Sequence, residues 1–178
     1  MSSKVLDLSF HDLDVHELAS QSEPDHEENG IPSPSALRLS SNGMTDISQL
    51  FNESRSLVKE PAELKWLDLS CNDITQVPEE FIQFRETMVV YLHGNKITDF
   101  QDLLPLGRMS QLKKLTLHGN PVEDLPNYRS FVILMIPTLK MLDFSIVTKQ
   151  DRVMADFFKN SFDAIMKKKN RKNKNTTD

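Results

Sequence analysis

Leu115-Thr-Leu-His-Gly-Asn120 and three strings like it decide the architecture of this chain: Leu37-Arg-Leu-Ser-Ser-Asn42, Leu67-Asp-Leu-Ser-Cys-Asn72 and Val90-Tyr-Leu-His-Gly-Asn95. The asparagines that end them lie 30, 23 and 25 residues apart. Self-similarity at such a period marks a chain built by stacking one supersecondary unit, because a single unit cannot bury its apolar face alone. Within each string the apolar and polar residues alternate as in a strand with one buried face, and the chain then turns.

The kernel L-x-L-x-x-N at this period is that of a leucine-rich repeat. The expected fold class is α/β: a leucine-rich repeat solenoid, a short right-handed horseshoe with a parallel sheet on its concave face and a helical C-terminal cap. Parallel strands are expected near residues 37–40, 67–70, 90–93, 115–118 and 142–145. The asparagines sit where strand turns into return segment. An amide there can satisfy both donors and acceptors of a buried turn, so the ladder reads as structural.

The return segments read as follows. Ile47, Leu50, Phe51, Ser54, Leu57 and Val58 recur at helical spacing up to Pro61. Phe81 and Phe84 serve the second repeat, and Leu103, Leu104 and Leu106 the third. After the fourth, Asn127-Tyr-Arg opens a helix through Phe131, Val132, Met135 and Ile136 to Pro137. Leu139, Leu142 and Phe144 are expected to form a fifth strand. Thr148-Lys-Gln-Asp151 resembles a capping box and opens a last helix, with apolar residues at 154, 157, 158, 162, 165 and 166 facing the core.

Charge divides the chain. Residues 1–30 hold eight acids against Lys4, and residues 167–178 hold six bases against Asp178, within a net charge of −5. Three segments are expected: an acidic, mostly flexible N-terminal segment (1–33), a repeat domain with cap (34–166, cap about 127–166) and a basic disordered tail (167–178). The apolar island Val5, Leu6, Leu8, Phe10 and Leu13 interrupts the first, and it is expected to cap the first repeat. Cys71 is the only cysteine, so no intrachain disulfide can form. Without paired cap cysteines or an apolar leader at Met1, the expected compartment is cytoplasmic. The run Phe131–Ile136 is too short to cross a bilayer.

The residues between the inward leucines should face the concave side. Aligned across the repeats they read Ala36, Trp66, Val89, Lys114, Met141; then Arg38, Asp68, Tyr91, Thr116, Asp143; then Ser40, Ser70, His93, His118, Ser145. Trp66, Val89 and Tyr91 make an apolar-aromatic patch, with Arg38, Asp68 and Lys114 as its polar rim and His93 and His118 beside it. That composition is typical of an interface anchor, and these eight residues are the expected partner-binding set. The two histidines lack a third ligand, so no metal site is expected. The sequence shows no phosphate loop, Cys71 has no base near it in sequence, and the carboxylates are scattered. No cofactor or small-molecule substrate is expected, and the chain reads as not an enzyme.

The stretch Leu115 to Pro121, then Tyr128-Arg129, Pro137 to Asp143 and Val147 to Arg152, resembles the cap of an intracellular leucine-rich class. That class includes the regulatory subunit of protein phosphatase 1, the spliceosomal A-prime protein and an axonemal dynein light chain. Leu6-Asp-Leu-Ser-Phe10, Trp66 to Ser70, Tyr91 to Asn95, Leu115 to Pro121 and Leu142 to Ser145 further resemble the family of leucine-rich repeat-containing protein 51. The resemblance implies a non-enzymatic cytoplasmic protein of ciliated lineages, hence a candidate role at the cilium or axoneme.

The functional expectation is therefore a monomeric protein-protein interaction scaffold using its concave face, with a protein partner, axonemal proteins being one class. The alternative is a nuclear or RNA-linked adaptor acting through the basic tail Lys167–Lys174. Against nucleic acid as the main partner, the three aligned concave columns carry no continuous basic stripe. No membrane association is expected.

Overall fold

The computed structural model describes residues 5–21, 34–160 and 163. Among them, β1 (Val5–Asp7), β2 (Ala36–Arg38), β3 (Trp66–Asp68), β4 (Val89–Tyr91), β5 (Lys114–Thr116), β6 (Met141–Leu142) and β7 (Ser145–Ile146) form one sheet whose spatial order follows chain order. β1 to β6 are parallel, in the register set by the sequence repeat: Ala36 pairs with Trp66, Trp66 with Val89, Val89 with Lys114 and Lys114 with Met141. Leu37, Leu67, Val90, Leu115 and Leu142 of β2 to β6 are fully buried, and Leu6 of β1 is partly buried against the same core. The fold is an α/β leucine-rich repeat solenoid.

The asparagine ladder explains how strands become turns without orphaned polar groups. Asn95 Nδ2 donates to the carbonyls of Leu69 and Leu92, and its Oδ1 accepts the amide of Ile74 at 3.0 Å. Asn72 and Asn120 repeat the pattern, each tying its own repeat to the preceding one. Asn42 makes the same bonds to Leu8, His11 and Leu13. The residue before each rung is left-handed: Ser41, Cys71, Gly94 and Gly119 have φ of 59°, 55°, 68° and 73°. Glycine adopts that conformation without steric cost. At Gly94 a Cβ would also stand 3.3 Å from Cys71 Sγ.

Four expectations are corrected. First, the N-terminal order reaches beyond the apolar island: the island lies on the first repeat as expected, and the residues after it, to 21, join the solenoid as well. β1 pairs with β2, and the 3-10 turn Val15–Gln21 follows, with Leu13, Val15 and Leu18 buried. Covering the open core end rewards this ordering. Val5 and Phe10 of the island stay exposed.

Second, the return segment after β2 holds only α1 (Leu50–Glu53), followed by the 3-10 turn Ser54–Ser56. Its apolar set is buried as expected, but the chain needs only a short return before Pro61. Leu104 in the next return is exposed.

Third, no straight fifth strand spans 142–145. Asp143 and Phe144 take φ of 48° and 59°, a two-residue hairpin turn that folds β7 antiparallel onto β6. Phe144 therefore leaves the core for the concave side.

Fourth, the final helix is rotated. α2 (Tyr128–Met135) and α3 (Lys149–Phe157) pack together, with Ala155 buried and Phe158 against the core, while Met154 and Phe157 are exposed. Thr148 and Asp151 form the expected capping box at the start of α3. Residues 162, 165 and 166, the rest of the acidic segment and the basic tail lie outside the described residues.

Candidate functional site

Parallel pairing stacks equivalent side chains about 4.8 Å apart, so aromatic residues at one repeat position become neighbours on the face. Trp66 and Tyr91, diagonal on adjacent strands, meet edge to face at 5.7 Å. Arg38 lies over the other side of the indole, its guanidinium carbon 5.1 Å from the ring centroid. Trp66 is half-buried between them rather than open to solvent, and its Nε1 is shielded with no hydrogen-bond partner.

Phe144 extends the row. Its ring stands 5.8 Å from Tyr91, 6.3 Å from His93 and 5.6 Å from His118, yet 59% of the residue is exposed. A bulky residue held in left-handed backbone is uncommon and costs free energy, and such residues cluster at functional sites. Hydrophobic alternation assigns Phe144 to the core. The only signal of its true place is the missing asparagine and glycine of the fifth unit.

His93 and His118 stack at 4.6 Å with their planes 8° apart. Burial, and then the neighbouring His118, hold His93 below the usual imidazole pKa, while Asp68 and Asp143 pull the other way. His93 Nδ1 lies 2.8 Å from Thr116 Oγ1, and His118 Nδ1 lies 3.4 Å from Asp143 Oδ1. No group of three metal-ligating side chains exists among the described residues.

The polar rim differs from the sequence expectation. Asp68 is buried, its carboxylate accepting from the Ser70 amide and hydroxyl and lying 3.4 Å from Arg38 Nε. Arg38 also donates to Asp7 at 2.9 Å. Both are internal supports of the Trp66 environment, because a buried carboxylate must be paired. Lys114 is exposed, and Val89 is half-buried beside Trp66.

The cap is built around α2. Tyr128 donates its hydroxyl to Asp143 Oδ2 at 2.7 Å, and burial, with the carboxylate beside it, raises the phenol well above its usual pKa. Arg129 grips Asp151 through two 3.0 Å bonds and also reaches the Ile146 carbonyl. That bidentate hydrogen bonding holds the Asp151 carboxyl well below the ordinary range. The Y-R and V-T-x-x-D-R motifs thus bind hairpin, α2 and α3 into one unit.

A repeat sheet closed by such a cap defines a leucine-rich repeat protein. A family model described as leucine-rich repeat matches residues 24–170. The chain is 35% identical over 161 residues to leucine-rich repeat-containing protein 51 of Bos taurus, covering 86% of this chain and 84% of that one. It belongs to the leucine-rich repeat-containing protein 51 family. A shorter match, 37% over 90 residues, is to U2 small nuclear ribonucleoprotein A' of Candida albicans, covering 50% of this chain and 38% of that protein. Among solved structures, the Drosophila melanogaster SNF/U2A' complex contains a similar chain, with a TM-score of 0.67, 24% identity and coverage of 92% and 87%. That likeness shows the fold.

Proposed function

We propose that this protein is a non-enzymatic interaction scaffold that binds a protein partner on its concave face, with Trp66, Tyr91 and Phe144 as the anchor. The observation that carries this reading is the row of rings itself: Trp66 to Tyr91 to Phe144 to His118, each within 6 Å of the next. Aromatic side chains with polar handles dominate interface energetics, and a face meant only for water would be polar. Val89, His93 and Lys114 border the anchor, whereas Arg38 and Asp68 hold the indole in place. The family resemblance supports a cytoplasmic setting, with the axoneme as one location. Among the described residues, no helix is long and apolar enough to cross a membrane.

The test is capture from ciliated-cell lysate by wild type and by Trp66→Ala, Phe144→Ala and Met154→Ala variants, each shown folded by its melt. Partners lost with the first two and retained with the third support the reading. Partners retained by all three place the interface elsewhere.

A second reading has its own support. The similarity to U2 small nuclear ribonucleoprotein A' favours a nuclear, RNA-linked complex, in which the basic segment 167–174 would be an import signal or an RNA contact. Nuclear accumulation that is abolished by removing residues 167–178 would favour it.

A further inference from the structure

The charges of the concave face are not equally available. Its acids are taken up internally: Asp7 by Arg38, Asp68 by Ser70 and Arg38, and Asp143 by the hydroxyl of Tyr128 and the backbone of the fourth repeat. Its bases are not. The residues that lead into the strands align through backbone bonds from Met88 to Lys65, from Lys113 to Met88 and from Lys140 to Lys113. Lys65 is paired with Glu86 at 2.9 Å. Lys113, Lys114 and Lys140 form no ion pair among the described residues. Lys114 pairs in register with Val89 beside Trp66, and Lys113 and Lys140 lie at the strand entries next to it, so the charge left without an ion pair along that edge is positive, although the whole chain carries −5.

We infer that the concave face receives an acidic segment of a protein partner, whose apolar side chains seat on Trp66, Tyr91 and Phe144 and whose carboxylates meet Lys113, Lys114 and Lys140. This inference rests on the concave-face reading above and names the chemistry of its partner. An apolar row with a one-sided cationic edge matches a segment with acids along one side and hydrophobic residues along the other. Single-stranded RNA fits less well. The anchor rings turn edge to face, at 79° between Trp66 and Tyr91 and 66° between Tyr91 and Phe144, so these three do not present parallel platforms for successive bases.

The test selects ligands from a random-peptide display library on the full chain, then measures the affinity of the selected peptides. The proteins are wild type, Trp66→Ala and a Lys113→Glu/Lys114→Glu/Lys140→Glu variant, each shown folded by its melt. Acidic peptides with aromatic or aliphatic anchors are expected. Their affinity should fall about tenfold or more in both variants, and recover in the lysine variant when the peptide acids become Lys. Neutral or basic peptides lost only with Trp66→Ala would overturn the acidic partner and leave the concave-face reading standing. Peptides indifferent to both variants would overturn both. A fluorescent oligouridine that displaces the peptides, and is itself lost with the lysine variant, would overturn the inference in favour of RNA.

Discussion

Asp143 Oδ1 accepts the backbone amide of Leu117 at 2.6 Å, standing where a strand carbonyl would otherwise be. In the preceding repeats the equivalent amides of Leu69 and Leu92 donate to the backbone carbonyls of Tyr91 and Thr116. The chain reverses at Asp143, so a side chain completes the ladder, and Tyr128 holds its other oxygen. Asp143→Ala leaves the buried Leu117 amide unpaired and should cost about 1–3 kcal/mol. Asp143→Asn keeps an acceptor oxygen and should cost less. Urea midpoints of the two variants check this, and an Ala variant as stable as the Asn variant contradicts it.

Asn95 is buried and spends its amide on four backbone partners from two repeats. Asn95→Ala should destabilise by about 1–3 kcal/mol, and Asn95→Asp should also lose stability because a carboxylate cannot donate to the Leu69 and Leu92 carbonyls. Thermal melts of both variants are the measurement. Unchanged melting would show that the ladder contributes nothing.

Gly107 lies in the return segment beside α2, where an added Cβ would stand 2.6 Å from the Met135 carbonyl oxygen. Backbone must move to admit it. Gly107→Ala is therefore expected to cost about 1–3 kcal/mol by overpacking, whereas Gly43→Ala, with nothing within 4 Å of its Cβ, meets no such clash and should show only the smaller strain of φ +72°. Equal losses at the two sites in chemical denaturation would refute the packing argument.

The Arg129–Asp151 pair predicts an acid limb. Because the folded carboxyl is depressed, its stabilisation is fully present above the ordinary value of about 4 and is lost as pH falls through the folded pKa. Wild type should lose stability below about pH 4 more steeply than Asp151→Asn. Parallel profiles of urea midpoint against pH would remove the pair from the account.

His93 predicts a second limb at milder pH. Its folded pKa is lowered, so the unfolded chain takes the proton first, and stability falls as pH drops below about 6.5 toward the folded value. His93→Gln should flatten this limb, measured between neutral pH and the onset of the carboxylate limb. Retention of the full slope would assign it to another group.

The residues that repeat were readable, and those that break the repeat were not. Trp66, Val89 and Tyr91 were placed on the concave face from alternation alone, and their register agrees with the aligned strings. Thr148 and Asp151 were readable because a capping box is local in sequence. Phe144 was misplaced because alternation assumes an extended strand, and two successive left-handed residues cancel it. The face of α3 was misjudged because its apolar residues include exposed Met154 and Phe157, and only the position of α2 selects Ala155 as the buried one.

By itself, the sequence determined the repeat: which residues form strands, which face the core, and where asparagine closes each turn. Those features depend on alternation and on hydrogen bonds that every unit makes in the same way. Only the tertiary structure decided the ends and the site. It brought β1 onto the first repeat, turned the chain back at Asp143, and set Phe144 beside Tyr91 and His118. It also used up the concave acids on internal partners and left Lys113, Lys114 and Lys140 free of ion pairs among the described residues. The reason is physical: which charge stays free depends on distances between residues from different repeats, and the repeat alone does not encode them.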